Sequence, residues 1–147
     1  MQISGTYRFD AAPDVVWARL MDPAIIATCI PGCNALEPDG EHRFRARLTV
    51  ALAAIGGTYE GTVTLSDLAP CESYRLMAEG QGRPGFVKGD SLVTLIPEGE
   101  ATIVYVSGTL QIGGTIARLG QRLIGSVSQM MMDRFFGCMQ TKVESSV

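Results

Sequence analysis

Histidine is nearly absent from this chain: His42 is the only copy. Cysteines grouped for a metal are absent too. A structural zinc wants four ligands, usually as two closely spaced pairs. Here Cys29 and Cys33 make one pair inside "ATCIPGC" (27–33), while Cys71 and Cys138 stand alone. A single histidine also removes most Ser-His and Cys-His schemes. His42 lies beside Asp39 and Glu41 in a turn signal, where a solvated residue is expected. A redox pair would be C-x-x-C at a helix start, where the helix dipole lowers a thiol pKa. The C-x3-C pair here follows a helix, at the wrong end. No metal, cofactor or catalytic residue is therefore expected. "ATCIPGC" reads as a stop and turn. Pro31 ends a helix, Gly32 supplies a permissive backbone, and the cysteines act as small apolar residues.

Charge is scarce as well. Charged residues are 18% of the 147, and the net charge is −3. No basic excess remains to neutralise phosphates, which excludes nucleic acid as a partner. No stretch long enough to span a bilayer is free of charge or breakers. The nearest, Val15 to Gly32, contains Arg19, Asp22, Pro23 and Pro31. The start, "MQISGTYRFD", lacks the basic opening and apolar run of a signal peptide. A cytoplasmic, reducing setting is expected, where stable disulfides are rare. Paired carboxylates are missing too: Glu60, Asp67, Glu72, Glu79, Glu98 and Glu100 fall on outward strand positions or in turns.

What is present is hydrophobic, 46% of the chain, and periodic. "QISGTYRF" (2–9) predicts a first strand. "DAAPDVVWARLMD" predicts a short helix, capped by Asp10 or starting at Pro13 after Ala12. Asp22-Pro23 stops it and opens a second, "PAIIATC". From Asn34 to Gly113 the period becomes two. Phe44, Ala46, Leu48, Val50 and Leu52 share one face; so do Tyr59, Gly61, Val63 and Leu65. Tyr74, Leu76, Ala78, Gly80 and Gly82 form a third set, and Val104, Val106, Gly108, Leu110 and Ile112 a fourth. Turn signals separate them, and "GQGRPG" (80–85) reads as a hairpin connection, not a nucleotide loop. The result is an antiparallel meander. Its inward faces carry many small residues, which marks strong curvature and admits an internal cavity.

The chain then runs "GGTIARLGQRLIGSVSQMMMDRFFGCMQTKVESSV". Thr115 is a candidate cap. One helix is predicted over 116–143, with Ile116, Leu119, Leu123, Val127, Met130, Met131, Phe135 and Cys138 as its apolar stripe. A helix that long must bury its stripe in a concave sheet. The fold class expected is α+β, a helix-grip. A curved antiparallel sheet of about six to seven strands wraps a long C-terminal helix, with two short helices after the first strand.

"VVWARLMDP", "CIPGC", "GTYEGTVTLSDLAPCESYRL", "GQGRPGFVKG" and "GGTIARLGQRLI" are collinear over nearly the whole chain. In them the sequence resembles the CoxG family of carbon monoxide dehydrogenase subunits, within the START/Bet v 1-like (polyketide cyclase) superfamily. The resemblance implies one domain over 1–147 with an elongated hydrophobic cavity. It implies an accessory protein that binds a lipid or an isoprenoid quinone. It also implies a link between a molybdenum hydroxylase of the carbon monoxide dehydrogenase type and the membrane, with peripheral membrane contact. Longer members carry an anchor after the domain; "KVESSV" is polar.

The expected cavity lining is Ile30, Tyr59, Val63, Tyr74, Phe86, Val104, Val106, Leu110, Leu123, Val127, Met130 and Met131. Methionine suits surfaces that adapt to varied apolar ligands. Trp17 and Phe86 are placed near the portal or in the core. Arg83 and Lys88 are free to meet an anionic partner or lipid head group. Two other functions stay open. One is a docking adaptor with a collapsed cavity. The other is a cyclase or hydrolase, for which Tyr59, Tyr74, Ser91 and Arg134 are the scarce polar candidates.

Overall fold

The computed structural model describes residues 1–51 and 55–144. Leu52, expected on an inward strand face, and the terminal "SSV" lie outside them. β1 (Gln2–Phe9) leads into α1 (Pro13–Leu20) and α2 (Pro23–Cys29). Then come β2 (Cys33–Pro38), β3 (Arg43–Val50), β4 (Gly57–Ala69), β5 (Ser73–Gly82), β6 (Gly85–Glu98) and β7 (Ala101–Gly113). A 3-10 segment (Thr115–Leu119) and α3 (Gln121–Glu144) follow. The strands form one seven-stranded sheet in the order β1-β7-β6-β5-β4-β3-β2, antiparallel throughout. The expected meander is β2 to β7, and β1 closes against β7.

Local chemistry sets the short helices. Pro13 starts α1 after an extended Ala12, so Ala12 and not Asp10 is the cap residue. A missing N–H costs nothing at that position. Asp22 caps α2 by accepting from the Ala24 amide at 3.0 Å. The "CIPGC" turn hands α2 to β2: the Cys33 amide donates to the Ile30 carbonyl at 3.1 Å. Gly32 has φ of 75°, and a Cβ there would sit 2.3 Å from the Thr49 carbonyl oxygen. Only glycine fits that approach.

The predicted alternation holds in the strands. Phe44, Ala46, Tyr59, Leu65, Tyr74, Val104 and Val106 are all buried, while Arg45, Arg47, Thr58 and Glu60 are exposed.

The long helix departs from expectation in two ways. It does not begin at Ile116. Residues 115–119 form the 3-10 segment, and Gly120, at φ of 84°, breaks the chain before α3 starts at Gln121. Thr115 therefore lies inside the 3-10 segment and caps no long helix. Its packed face meets the predicted stripe only at Phe135 and Cys138. Phe136, Met139 and Val143 are the buried residues of α3, with Met132, Phe135 and Cys138 packed beside them. At 3.6 residues per turn this face lies roughly a third of a turn from the predicted one. Leu123, placed on the stripe, is 42% exposed. The segment "MMMDRFFGCM" offers apolar residues almost all round, so periodicity alone does not select the side that docks.

The cysteines require a third correction. Cys29, at the end of α2, is bonded to Cys138 of α3, 109 residues away. The two were expected to be separate small apolar residues. Spacing along the chain carries no information on so distant a partner. Cys33 and Cys71 are free.

Both margins of the sheet are occupied or short. Along β1, the Tyr7 hydroxyl donates to Asp133 of α3 at 2.7 Å, and the Gln140 side chain donates to the Arg8 carbonyl at 2.7 Å. The Tyr7 ring stacks on Phe136, centroids 4.5 Å apart. At the other margin β2 has only six residues and a bulge between Cys33 and Ala35.

Candidate functional site

The register lays the inward residues out in rows across the sheet. One row is Tyr74–Val93–Val106. It is closed: these residues are 2%, 0% and 4% exposed. Val16 and Leu20 of α1, Ile26 of α2 and Phe136 and Met139 of α3 fill the core with them. Two rows further along, the face opens. The row Phe44–Val63–Ala78–Gly89–Leu110 has half-buried Val63 and Leu110 and an exposed Ala78. The next row is Ala46–Gly61–Gly80–Val87–Ile112. A Cβ on Gly80 would meet nothing within 4 Å.

This part of the inward face is the candidate trough. Its floor is Gly61, Ala78, Gly80 and Gly89; Val63, Leu76, Val87, Leu110 and Ile112 rise around it. All of these are apolar or lack a side chain. Small residues in a floor take no volume, and the apolar neighbours favour a ligand without charge. A Cβ on Gly61 would lie 1.7 Å from the Glu79 carbonyl oxygen, so the two strand backbones approach closely there. Glycine within a strand marks such close approach.

The polar groups nearby are engaged or quiet. The Ser91 hydroxyl, at the edge of the packed region, donates to the Leu76 carbonyl at 3.3 Å. The Tyr59 hydroxyl donates to the Ile55 carbonyl at 2.6 Å, and burial raises its pKa. Tyr74 meets the edge of Trp17, centroids 5.6 Å apart. Burial also raises the Cys33 thiol, which suppresses the thiolate. No group of three or more metal-binding side chains occurs among the described residues.

The sequence-picked residues fall in several places. Val63 and Leu110 stand in the trough, and Tyr59 lies beyond its outer row. Tyr74, Val104 and Val106 belong to the packed end instead. Ile30 is half-buried against the core, and Val127 and Met131 are half-buried on α3. Met130 lines a groove of about 860 Å³ along one flank of α3, with Arg122, Gly125, Gln129, Asp133 and Arg134. Leu123 is exposed on α3, and Phe86 does not face the trough. Phe86 shares its side of β6 with Lys88 and pairs with Gln81, so it points outward. Its ring covers Gly113, where a Cβ would come within 2.1 Å of it. The residues that sequence reasoning left out are Leu76, Gly89, Val87, Ile112 and the floor as a set. Their signal was the small residues at alternate positions of neighbouring strands.

Alkaline titration provides one check on this arrangement. Tyr7 and Tyr74 are both held far above the ordinary tyrosine range. For Tyr7 burial dominates and the bond to Asp133 adds to it; for Tyr74 burial is the cause. A raised pKa means that the folded chain keeps a proton the unfolded chain loses. The associated stability is intact below about pH 10 and declines as pH rises beyond it. Phenolate absorbance is expected to show these two tyrosines ionising only as the fold is lost, in step with circular dichroism. Their ionisation in the native protein near pH 10 would contradict the packing described.

Comparison with known proteins gives a family and a fold. The family model for CoxG, a carbon monoxide dehydrogenase subunit, matches residues 5–144. No curated protein matches. Among solved structures, a conserved protein from Geobacillus kaustophilus superposes with a TM-score of 0.96 at 33% identity, over 99% of this chain and 97% of its own. A START superfamily protein from Mycobacterium smegmatis gives 0.77 at 11% identity, covering 99% of each chain. The Zhui aromatase/cyclase from Streptomyces sp. R1128 gives 0.68 at 15%, over 98% and 93%. The last two are alike in fold only.

Proposed function

The chain belongs to the CoxG family of carbon monoxide dehydrogenase subunits, and from that premise we propose that it is a single ligand-carrying domain rather than an enzyme. Its cargo is an elongated apolar molecule, a lipid or an isoprenoid quinone, held in the trough. Its role is to link a molybdenum hydroxylase of the carbon monoxide dehydrogenase type to the membrane. The open, small-residue floor carries this reading: exposed Ala78 and the empty space over Gly80 on a face that otherwise packs. Burying a methylene is worth about 0.8 kcal/mol. A chain of about ten carbons laid on this floor would be held without any charged contact. The nearby hydroxyls of Ser91 and Tyr59 are tied to backbone carbonyls, which favours holding a ligand over transforming it.

The test is Gly80→Leu, which sets an apolar side chain over the floor from a position where a Cβ meets nothing within 4 Å. Native mass spectrometry after incubation with a menaquinone, and separately with a phospholipid, is expected to show uptake by the wild type. The variant should be folded and lose at least ten-fold in uptake. If the wild type takes up neither probe, or Gly80→Leu takes up as much, the trough is not the site.

A further inference from the structure

We propose that this chain pairs with a second copy of itself through the outward face of the sheet, over β5, β6, β7 and β1. The inference stands apart from the carrier reading, because the trough lies on the opposite face.

The sheet turns one face to the core and the other to solvent. Val93, Leu95, Val104 and Val106 are buried on the first, in one cluster with residues of all three helices. The alternate residues form the second face, and no helix lies over it among the described residues. A sheet face left to water is normally polar. This one carries three of the five large hydrophobics exposed among the described residues: Leu92 at 52%, Ile96 at 45% and Tyr105 at 44%. Half-buried Ile103 lies beside Ile96 in register. Single exposed apolar residues are ordinary, whereas a contiguous group marks a contact surface.

Charge decides what fits. Ser4, Thr6, Ser73, Thr94 and Ser107 fill the positions between and around the apolar residues. The arginines at the border are already paired, Arg75 with Asp90 and Arg8 with Asp10 and Glu98. A lipid surface calls for free cations beside apolar groups, and a charged protein calls for free charge of the other sign. This patch is instead complementary to itself. In a two-fold contact, residue i of one copy meets residue j of the other, and j meets i. Leu92 and Ser107, Thr94 and Tyr105, and Ile96 and Ile103 are register pairs across β6 and β7. With the axis along the seam between these strands, β6 of each copy lies on β7 of the other. Leu92 then rests on Ser107, Tyr105 on Thr94, and Ile96 on Ile103. Two of these contacts set a large side chain on a small one, and the third joins two isoleucines. One strand further out, Arg75 comes over Ser4 and not over another arginine. Two chains of net charge −3 therefore meet here without opposing like charges.

The contact is small. Four strands about 4.8 Å apart, with about six residues of each at about 3.4 Å, give a footprint of roughly 400 Å² per copy. That is the low end for a specific interface, so dissociation at about 10 to 100 µM is expected.

Sedimentation velocity of the full chain, from about 1 µM to about 1 mM, brackets that range and tests the proposal. The wild type is expected to pass from monomer to dimer and no further. Leu92→Lys with Tyr105→Lys puts four lysines into the contact and should weaken pairing by about a hundred-fold or more. Leu92→Thr with Ile96→Thr keeps strand-forming residues and removes only apolar area; it should weaken pairing by about ten-fold. It decides the matter if the lysine variant fails to fold, as circular dichroism will show. Leu123→Lys, at an exposed apolar residue on α3, should change nothing. A wild type that stays monomeric at the highest concentration overturns the proposal and leaves the patch to a different protein. A dimer that survives the sheet-face variants, or that Leu123→Lys abolishes, overturns it as well.

Discussion

Replacing Cys29 and Cys138 by alanine is expected to destabilise the fold by about 4 to 5 kcal/mol. The bridge spans 109 residues, and closing a loop of about 100 residues removes enough conformational entropy to raise the free energy of the unfolded chain by roughly that much. The partners are well placed for the effect to appear. α2 has seven residues, too few to be stable as an isolated helix. Its position depends on what Ile26 and Cys29 touch. Urea titration provides the measurement. Reductant should move the wild-type midpoint to that of the double variant and leave the variant unmoved. Wild-type midpoints that coincide with and without reductant would show that the bridge does not hold α2 to α3 in solution.

The second large effect separates two glycines that face each other across β4 and β5. Gly61 and Gly80 are register partners on the same inward face. A methyl on Gly61 would be driven to 1.7 Å from the Glu79 carbonyl oxygen, whereas a methyl on Gly80 meets nothing within 4 Å. Gly61→Ala must push two hydrogen-bonded strands apart. Such a change belongs with overpacking and backbone strain and should cost about 3 kcal/mol or more. Gly80→Ala should lie within about 0.5 kcal/mol of the wild type. Thermal unfolding of the two variants side by side decides the point. Equal melting temperatures would mean that β4 and β5 do not approach at Gly61 as closely as described.

The strands were legible because one face of each is buried and the side-chain period is two. Arg45 and Arg47 against Phe44 and Ala46 leave no choice of face. Where that contrast fades, prediction fails for a physical reason. Phe86 is apolar and begins a strand. Its face is set by register with Gln81 and Gly113, which one strand read alone does not contain. On α3, apolar residues on most sides left several stripes open, and the docked one is chosen by Tyr7, α1 and α2. The break before α3 was written in Gly120, but a glycine within a helical pattern is also tolerated at about 1 kcal/mol. The trough was half visible. Its glycines and alanines were noticed strand by strand, and only pairing assembled them into a floor.

The two margins of the sheet carry a consequence for how copies of this protein meet. A strand edge with free N–H and C=O groups is a template for another strand. Here the Arg8 carbonyl on the β1 side is already used by Gln140, and β2 is brief and kinked by its bulge. Growth of the sheet from molecule to molecule is therefore obstructed on both sides. High local concentration, such as crowding on a surface would produce, should leave the protein dispersed rather than fibrillar. Any assembly it does form has to be built from side chains on its faces.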